Sequence, residues 1–373
     1  MRIAFYAPLK PPDHPRPSGD RRMARQMVAA LRLAGHRVEL ASRLRSLDLA
    51  GSPAAQAGIR ARAEREVADL TRRFGAGAPD LWFTYHLYHK APDWIGPALA
   101  RTFRLPYVVA EASHAPRRAH GPWAAGHDAA VAALRQARTV FHLTAADRPA
   151  LAALIRAPTR LLALPPFLDL AAFPVQDRGA ARRALGARLG VPADGPWALT
   201  VAMMRAGAKQ RSYEQLAAAL GHLTDLDWRL LVAGDGPAGA AVRAAFRPLG
   251  DRVAFLGLVA ETDLAELYAA ADLFLWPAVD EAYGMAFLEA AAMGVPAVAG
   301  RHGGVAEVVA DGRTGLLVAP DDDAAFAAAV ARLLADADLR LRLGAAACRI
   351  ARAERGLAAA AERLEAGLRW ARA

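Results

Sequence analysis

The sequence predicts an α/β protein built from two parallel sheets. Short apolar runs alternate with helical patterns from one end of the 373-residue chain to the other. Such alternation is typical of strand–helix–strand units, whose strands lie parallel. Hydrophobic residues make up 54% of the chain and charged residues 23%, which indicates a packed globular protein. The length is sufficient for two domains of ordinary size.

Six strand patterns lie in the first half. The predicted strands are residues 3–7, 37–41, 81–84, 107–110, 139–142 and 161–164. Helical patterns separate them, including an amphipathic one at residues 21–34 and a long basic one at residues 59–74. A proline-containing segment at residues 165–174 follows the sixth strand. We therefore assign the first domain to residues 1–176.

The alternation begins again after a helix predicted at residues 180–189. The second set of predicted strands is residues 197–201, 228–233, 253–255, 273–275, 297–299 and 316–318. An Ala-rich helix is predicted at residues 350–373. The second domain is therefore assigned to residues 190–349, with the terminal helix as a separate element.

The segment from Glu281 to Glu289 is the most informative part of the chain. It follows a predicted strand, and Gly284 lets the backbone turn into a short apolar helix. Glu281 is then expected before the helix N-terminus and Glu289 about one turn inside. Free amides and the positive dipole end favour an anion such as a diphosphate, while the carboxylates can hold hydroxyl groups. The ordinary alternative is a pair of solvated glutamates on an Ala-rich helix.

A second loop at a strand end follows soon after. Residues 299–304 form a glycine-rich loop after the strand at 297–299, and Asp311-Gly312 precedes the strand at 316–318. In an open parallel sheet, ligands bind at the carboxyl ends of the strands. Both loops are therefore expected at the same ligand-binding edge.

Residues 277–320 resemble the signature region of the GT-B glycosyltransferases of family 4, retaining enzymes that use nucleotide-sugar donors. The Glu281–Glu289 pair, the Gly303-Gly304 loop and the Asp311-Gly312 turn occur in the family's order and spacing. One departure is Ala282, where members commonly carry Gly. The resemblance implies two facing Rossmann-like domains, the second holding most of the donor. It also implies that the C-terminal helix crosses back to the first domain.

The resemblance also implies roles for individual residues. Glu281 would contact the donor sugar and support its oxocarbenium-like centre, and Glu289 would hold the ribose. The leaving phosphate would take the acceptor's proton, so no protein base is assigned. Neither a metal nor a separate cofactor is expected. The donor-binding residues implied are Gly19, Arg205, Lys209, Gly234, Gly257, Ala282, Tyr283, Gly284, Met285 and Glu289.

Arg205 and Lys209 follow the first strand of the second half. Lys209 is the only lysine in residues 174–373. The two cations resemble the basic pair that holds the donor diphosphate in this family, where they would neutralise charge on the leaving group. The alternative is two solvated cations on a surface loop.

Residues 234–239 match G-x-G-x-x-G after a strand, which leaves open a nicotinamide-dependent oxidoreductase. The next strand would then end in an acidic residue that binds ribose. Here it ends in Leu256-Gly257. The Gly234 loop also resembles the nucleotide side of GT-B donor domains, and a GT-B sugar-nucleotide epimerase or phosphorylase is the nearest enzymatic alternative.

Two segments of the first half resemble further family positions. Pro17-Ser18-Gly19-Asp20 resembles the family's Gly-Gly loop, with Asp20 in place of the second glycine. His114 follows the fourth strand, where many members place a histidine near the transferred sugar, so we consider it a catalytic candidate; a structural histidine is the alternative. His86 and His89 are spaced as H-x-x-H, a weak zinc pattern without further ligands nearby.

The positive charge is concentrated in the first half. Residues 1–173 carry 25 Lys and Arg against 13 Asp and Glu, whereas residues 174–373 carry 22 against 24. Arg21, Arg22, Arg25 and Arg32 share one predicted helix. They form either a solvated face or a contact with anionic lipid. A nucleic-acid binder is the third option, but an RNP-like aromatic strand and a zinc knuckle are both missing, so no nucleic acid is expected.

The remaining features limit the protein class and its location. A single cysteine, Cys348, excludes an intrachain disulfide and favours a reducing compartment. No run of 18 apolar residues, no Walker A G-K-[ST] and no G-x-S-x-G elbow occurs. We therefore predict a cytoplasmic enzyme, peripheral at the inner membrane face. It would transfer sugar to a glycan or lipid-linked saccharide in cell-envelope or exopolysaccharide synthesis.

Overall fold

The computed structural model describes residues 1–16 and 18–372, and the chain divides into two compact units. Unit 1 comprises Met1–Phe167 with Leu357–Ala373, and unit 2 comprises Leu168–Gly356. The first division falls before the expected boundary at residue 176. The Leu168 amide donates to the Arg355 carbonyl at 2.8 Å, and Arg352 Nη2 donates to the Phe173 carbonyl at 2.7 Å. These bonds tie residues 168–173 to unit 2.

Within its described residues, unit 1 contains one six-stranded parallel sheet with helices between the strands. The strands are β1 (Arg2–Tyr6), β2 (Arg37–Ser42), β3 (Leu81–Leu87), β4 (Tyr107–Ala112), β5 (Thr139–His142) and β6 (Arg160–Ala163). The intervening helices are α1 (Gly19–Leu33), α2 (Pro53–Gly75), α3 (Gly96–Phe103), α4 (Ala124–Gln136) and α5 (Arg148–Leu154). The strand order is β2-β1-β3-β4-β5-β6. The direction of winding therefore reverses between β1 and β3.

Unit 2 repeats this plan, again with six parallel strands in the described part of the chain. Its strands are β7 (Trp197–Val201), β8 (Arg229–Ala233), β9 (Val253–Gly257), β10 (Leu273–Trp276), β11 (Ala297–Gly300) and β12 (Gly315–Val318). Its helices are α6 (Arg178–Leu189), α7 (Ala208–Gly221), α8 (Gly239–Phe246), α9 (Leu264–Ala270), α10 (Met285–Ala292), α11 (Asp323–Ala335) and α12 (Ala337–Glu354). The strand order is β12-β11-β10-β7-β8-β9, so the winding reverses between β7 and β10.

The central strands are largely apolar because helices cover both faces of each sheet. All four residues of β10 and the first five of β3 are buried. This largely apolar character explains why the predicted strands coincide with the observed ones to within a few residues. The largest extension is in β3, which runs on to Leu87 and so includes His86.

The predicted terminal helix at residues 350–373 is two helices. α12 ends at Glu354, and the chain bends at Gly356, where an added Cβ would lie 2.9 Å from Leu170 Cδ1. The last helix, α13 (Leu357–Arg372), packs in unit 1. There Glu365 pairs with His36 at 2.8 Å, and the Gly367 carbonyl accepts a hydrogen bond from Thr139 Oγ1 at 2.9 Å. The expected return of the chain to the first domain is confirmed.

The chain between the glycine-rich loop and β12 forms very little helix. Only a 3-10 turn, Val305–Glu307, forms there. The Asp311 carboxylate accepts from the Leu317 amide at 2.9 Å, and Thr314 Oγ1 accepts from the Ala310 amide at 2.8 Å. These bonds turn the chain directly into β12, which leaves no room for further helical residues.

Candidate functional site

The loops after β7 and β10 carry the central residues of the candidate site in unit 2. These two strands are neighbours at the point where the winding of the sheet reverses. A crevice at such a point is where open α/β sheets bind ligands. Lys209 lies in the first turn of α7, and Glu281 lies in the loop between β10 and α10. The sheet order thus brings together two residues that are 72 positions apart.

Lys209, Glu281 and Trp276 form a connected group that we call the Lys–Glu–Trp triad. Lys209 Nζ donates to Glu281 Oε2. Trp276 Nε1 donates to the same oxygen at 3.3 Å, and Lys209 Nζ lies 5.2 Å from the centroid of the Trp276 ring. The indole therefore contacts both charges, through its N–H and its π face. Sequence reasoning did not select Trp276, although its position at the end of β10, directly before Pro277, was a usable signal.

The triad is partly shielded from solvent. The Lys209 side chain is 33% exposed and that of Glu281 is 17% exposed. In such a setting the pair is less screened than a surface ion pair, yet it is open enough for a ligand to contact. The two residues expected to bind different parts of the donor are paired with each other in this structure.

The start of α10 has the backbone expected for a turn into a helix. Gly284 has φ of 74°, and a Cβ there would lie 2.6 Å from the Phe287 ring, so this position requires glycine. Ala278 and Asp280 also have positive φ, at 63° and 50°. Strained non-glycine residues of this kind cluster at functional sites. Tyr283 and Met285 flank Gly284 and are both buried.

Two further contacts fix the same loop. The Gly304 amide donates to the Ala282 carbonyl at 2.6 Å. A Cβ on Gly303 would lie 2.1 Å from the Glu281 carbonyl oxygen, so the glycine-rich loop after β11 packs directly on the Glu281 backbone. Gly303 was part of the quoted motif but not a predicted site residue. Its role is to allow this close approach.

Glu289 lies one turn inside α10, as expected, and is only 2% exposed. Its Oε2 accepts a hydrogen bond from the Tyr268 hydroxyl at 2.9 Å. A ribose at this carboxylate would have to share it with Tyr268. The ribose-binding role stays a prediction.

The glycines after β8 serve close packing between loops. A Cβ on Gly234 would lie 1.8 Å from the Ala202 carbonyl oxygen, and one on Gly236 would lie 2.3 Å from that of Met204. The Gly234 amide donates to the carbonyl of Gly257, whose φ is 67°. These glycines therefore let the loop after β8 support the loop after β7.

Arg205 occupies that supported loop, between β7 and α7. Its side chain is exposed, and Nη2 lies 2.9 Å from Met203 Sδ. Its carbonyl accepts from the Gln210 amide at 3.0 Å. Arg205 and Lys209 thus lie in one continuous segment, the first on the loop and the second on the helix.

In unit 1, Gly19 is the first residue of α1, which Ser18 caps by accepting from the Arg21 amide at 3.2 Å. Pro17 lies outside the described residues. The His114 ring lies 5.3 Å from the His127 ring. Burial and the neighbouring His127 lower the pKa of His114, so this imidazole is neutral at neutral pH. The catalytic assignment of His114 stays a prediction.

A different group of titratable residues meets at the carboxyl edge of the unit 1 sheet. His86 Nδ1 lies 3.5 Å from Asp20 Oδ1 and 3.6 Å from Glu111 Oε1. We call these three residues the imidazole–carboxylate cluster. Burial alone would lower the pKa of His86, but the carboxylates of Glu111 and Asp20 outweigh it and raise the pKa to about 9. Sequence reasoning considered His86 only as a weak zinc ligand.

His89 does not join that cluster. Its ring lies 6.0 Å from the Trp123 ring, and burial together with the nearby Arg118 lowers its pKa to about 4. Among residues 1–16 and 18–372, no group of three or more His, Cys, Asp or Glu is arranged to hold a metal ion.

The four arginines of α1 differ in their solvent exposure. Arg21 and Arg22 are half-buried, whereas Arg25 and Arg32 are exposed. Arg25 Nε donates to the Pro12 carbonyl at 3.0 Å, and Arg32 Nη2 donates to the Val38 carbonyl at 3.3 Å. In the part of the chain that the structure describes, none of the helices combines the length and apolar character needed to cross a membrane.

Comparison with known proteins places most of the site within a recognised family region. Residues 195–336 match the family model "Glycosyl transferases group 1". This range includes the Lys–Glu–Trp triad, Arg205 and Glu289, and it excludes Gly19 and His114.

Curated relatives match about half of the chain. The D-inositol 3-phosphate glycosyltransferase of Stackebrandtia nassauensis is 35% identical over 219 residues, which cover 55% of this chain and 48% of the relative. That of Xylanimonas cellulosilytica is 39% identical over 199 residues, covering 50% and 46%. The chain thus spans about half the length of the curated relatives it matches.

Solved structures match over nearly the whole chain. Sucrose-phosphate synthase from Thermosynechococcus elongatus has a TM-score of 0.76 at 22% identity, covering 99% of this chain and 98% of that one. Anabaena Alr3699/HepE in complex with UDP-glucose has a TM-score of 0.72 at 19% identity, covering 99% of both chains. At these identities the similarity establishes the fold. The chain has the two-domain α/β fold of GT-B glycosyltransferases, and its residues 195–336 are similar to the glycosyl transferases group 1 family.

Proposed function

We propose that this protein transfers a sugar from a nucleotide-diphosphate sugar to a saccharide acceptor. The single observation that carries the proposal is the Lys–Glu–Trp triad. It lies at the winding reversal of the unit 2 sheet, within the region that matches the family. An adjacent cation and carboxylate suit a donor that carries a diphosphate next to a polyhydroxylated ring.

In the proposed complex, the diphosphate takes over Lys209. Its charge outcompetes a single carboxylate for the ammonium group, and Arg205 adds a bidentate donor on the same segment. Glu281 is thereby released from Lys209 and becomes free to accept hydrogen bonds from the donor sugar. Trp276 keeps Glu281 oriented through its indole N–H. Donor binding is therefore an exchange of partners within the triad.

The proposed reaction retains the configuration at the anomeric carbon. The bond from that carbon to the diphosphate oxygen breaks as the acceptor oxygen attacks from the same face, and the leaving phosphate takes the acceptor's proton. Lys209 and Arg205 stabilise the negative charge that develops on the diphosphate, a term that commonly dominates such catalysis. Glu281 would support the positive charge that develops on the sugar ring. Neither a metal nor a separate cofactor takes part in the proposed reaction.

The acceptor proposed is a glycan or a lipid-linked saccharide of cell-envelope or exopolysaccharide synthesis. The excess of Lys and Arg in the first half of the chain supports peripheral binding to an anionic membrane face. The proposed location is therefore the cytoplasm, at the inner membrane face. Arg25 and Arg32, the exposed arginines of α1, are the residues to test. Vesicles of phosphatidylcholine with and without phosphatidylglycerol should distinguish wild type from Arg25→Gln/Arg32→Gln. Equal binding would remove α1 from the membrane contact.

The test of the function is a thermal-unfolding screen with UDP-, GDP- and ADP-sugars, followed by product analysis with the stabilising donor. We expect one nucleotide class to raise Tm in wild type and to fail in Lys209→Met. Arg211→Met is the matched control. Arg211 lies in the same helix, and its side chain is 58% exposed and pairs with Asp280 at 2.5 Å. Stabilisation by none of the donors would refute the proposal. A rearranged nucleotide sugar with no transfer product would indicate an epimerase instead.

A further inference from the structure

The imidazole–carboxylate cluster lies at the place in unit 1 that corresponds to a ligand-binding crevice. Asp20 is in the first turn of α1, which follows β1, and His86 is near the end of β3. The winding of this sheet reverses between those two strands. The loops there diverge to opposite faces and leave a crevice at the carboxyl ends of the strands. Asp20 and His86 therefore lie on its two sides.

The backbone at this crevice is strained at two neighbouring positions. His86 has φ of 62° and Glu111 has φ of 57°. Tyr85 pairs with Ala110 and Leu87 with Ala112, so His86 and Glu111 occupy matching positions on adjacent strands. A left-handed backbone conformation at a non-glycine residue costs on the order of 1–3 kcal/mol and persists where the surrounding structure imposes it. Both residues are turned together, which directs their side chains to the same point.

The contacts within the cluster are loose. At 3.5 and 3.6 Å, the distances from His86 Nδ1 to the two carboxylates exceed those of good hydrogen bonds. His86 Nδ1 and Glu111 Oε2 are buried, and neither has a hydrogen bond of normal geometry to any residue that the structure describes. Polar groups in unoccupied sites are commonly too far apart and draw together in the complex. The Tyr85 hydroxyl also interacts with the Glu111 carboxylate, but His86 Nδ1 and Glu111 Oε2 keep hydrogen-bonding capacity for a ligand.

Nearby carboxylates show what a purely structural role looks like. Asp147 accepts from Ser113 Oγ at 2.9 Å and from Thr144 Oγ1 at 2.7 Å. Asp93 accepts from the Tyr107 hydroxyl at 2.9 Å and from the Gly96 amide at 2.7 Å. Both groups are held by short bonds. The long contacts that Asp20 and Glu111 make with His86 therefore differ from the short hydrogen bonds of these two aspartates.

The chemistry of the cluster favours a neutral ligand that is rich in hydroxyls. Asp20 accepts hydrogen bonds, and protonated His86 donates through Nε2, since Nδ1 faces the two carboxylates. Tyr88 adds a ring 5.3 Å from that of His86, and burial followed by the charge of Asp20 raises the pKa of its hydroxyl to about 12. The phenol therefore remains a donor. The carboxylates of Asp20, Glu111 and Asp147 outnumber the two nearby cations, protonated His86 and Lys10, and this balance disfavours an anion. A saccharide hydroxyl, which both donates and accepts, satisfies such a mixed set.

We propose that Asp20 and His86 bind hydroxyls of a neutral saccharide at the β1–β3 crevice, with Glu111 as the residue that positions His86. This inference rests on the proposed function, under which the saccharide is the acceptor. The exposed fraction of the side chain increases from 14% for Glu111 to 21% for His86 and 41% for Asp20. A ligand would therefore meet Asp20 and His86 first, while Glu111 supports them from below.

The proposal is tested by saturation-transfer NMR on the full chain without donor. The probes are the methyl glycosides of glucose, mannose and galactose, with methyl glucuronide as the anionic counterpart of the glucoside. We expect transfer to at least one neutral glycoside, with weaker transfer to the glucuronide. Asp20→Asn and His86→Gln should reduce the signal about tenfold, since each removes a charge-assisted hydrogen bond. Asp128→Asn is the matched control, because the side chain of Asp128 is 77% exposed.

A pH series separates the positioning role of Glu111 from a structural one. In wild type, binding should be retained up to pH about 9 and lost above it, as His86 deprotonates. In Glu111→Gln, that loss should occur at lower pH, with binding unchanged well below it. An identical pH profile in Glu111→Gln and wild type would overturn the positioning role. Undiminished signals in Asp20→Asn and His86→Gln, or no transfer to any of the glycosides, would overturn the site.

Failure of this inference is distinguishable from failure of the proposed function. If nucleotide sugars stabilise the protein and the cluster variants bind glycosides as wild type does, only the crevice assignment is wrong. If no nucleotide sugar stabilises the protein, the donor site is wrong whatever the glycosides do. Each variant is first compared with wild type in its melting temperature, so that a folding defect is not read as lost binding.

Discussion

Lys209 Nζ donates to Glu281 Oε2, and the Trp276 indole contacts both residues. This contact joins the start of α7 to the loop before α10. In it the Lys209 ammonium and the Glu281 carboxylate are each other's ion-pair partner. A ligand that binds Lys209 must therefore alter Glu281 as well. Binding and chemistry are coupled at this pair, so single substitutions should affect both.

Replacement of Lys209 by Met should abolish nucleotide-dependent stabilisation and lower transfer by about 10²- to 10³-fold, the usual cost of removing one electrostatic group at a reacting centre. The measurement is steady-state transfer with the donor that stabilises wild type. Arg211→Met should behave as wild type. Equal activity in Lys209→Met and Arg211→Met would contradict the role of Lys209.

Glu281→Gln should keep nucleoside-diphosphate binding and lose sugar transfer. The amide keeps the shape of the side chain but loses the charge that supports a developing positive centre. Binding of the nucleoside diphosphate, measured by calorimetry, should be as tight as in wild type or tighter, because Lys209 no longer has a competing carboxylate. Glu266→Gln is the control, since Glu266 pairs with Arg188 elsewhere in unit 2. Full turnover in Glu281→Gln would exclude Glu281 from the mechanism.

Gly234→Ala should disrupt the loop that carries Arg205. The new methyl group would lie 1.8 Å from the Ala202 carbonyl oxygen, so one of the two loops must move. We expect a lower Tm together with weaker donor binding. Gly239→Ala is a matched control, because its nearest contacts, Asp235 Oδ1 and Met204 Sδ, are both at 3.7 Å. If both variants have the same Tm and the same donor affinity, the tight packing of the two loops does not contribute to donor binding.

His86 should make the stability of unit 1 depend on alkaline pH. Its pKa is about 9 in the folded state against about 6.5 unfolded, so its contribution is complete below pH 6.5 and is lost as pH rises through 9. The facing groups are Asp20, Glu111, Asp147 and Tyr88. The free energy of unfolding of wild type minus that of His86→Gln should therefore fall between pH 6.5 and 10, by at most about 3 kcal/mol.

His114→Gln supplies the control for that titration. The pKa of His114 is lowered, so its effect lies on the acid side and its variant should show no alkaline loss. Chemical denaturation at several pH values measures both variants. A difference between wild type and His86→Gln that does not vary with pH would contradict the charged state of His86.

Asp93→Ala should be strongly destabilising without touching either proposed site. Asp93 is 2% exposed and accepts from Thr84 Oγ1 at 2.5 Å, from the Tyr107 hydroxyl at 2.9 Å, and from the Ile95 and Gly96 amides at 2.9 and 2.7 Å. Its removal leaves buried donors unpaired, at a cost of about 3–5 kcal/mol. Asp93→Asn keeps part of the network and should cost less. Equal stability of the two variants would show that the bonds to Asp93 carry little weight.

The strands, their order of appearance and the loop of Glu281 could be predicted because local signals specify them. Apolar runs such as β10 identify buried parallel strands, and Gly284 identifies the turn into α10. The pairing of Lys209 with Glu281 could not be predicted, because it depends on β7 and β10 being neighbours in the sheet. The role of Trp276 depends on the same order.

The cluster around His86 was missed for a related reason. Nothing in the local sequence indicates a left-handed backbone at a histidine or a glutamate, since such conformations are imposed by the surrounding fold. The alignment of His86 with Glu111 depends on the register of β3 and β4, and Asp20 reaches them only through the placement of α1. The domain limits at Phe167 and Gly356 likewise depend on contacts between segments far apart in the chain.

The position of α13 has a consequence for biosynthesis. Leu357–Arg372 completes unit 1, although the rest of that unit ends at Phe167 and all of unit 2 lies between. Domains generally fold as their residues emerge from the ribosome. Unit 2 is therefore translated in full before unit 1 receives its last helix. Unit 1 begins to be synthesised first, but its fold is completed after that of unit 2.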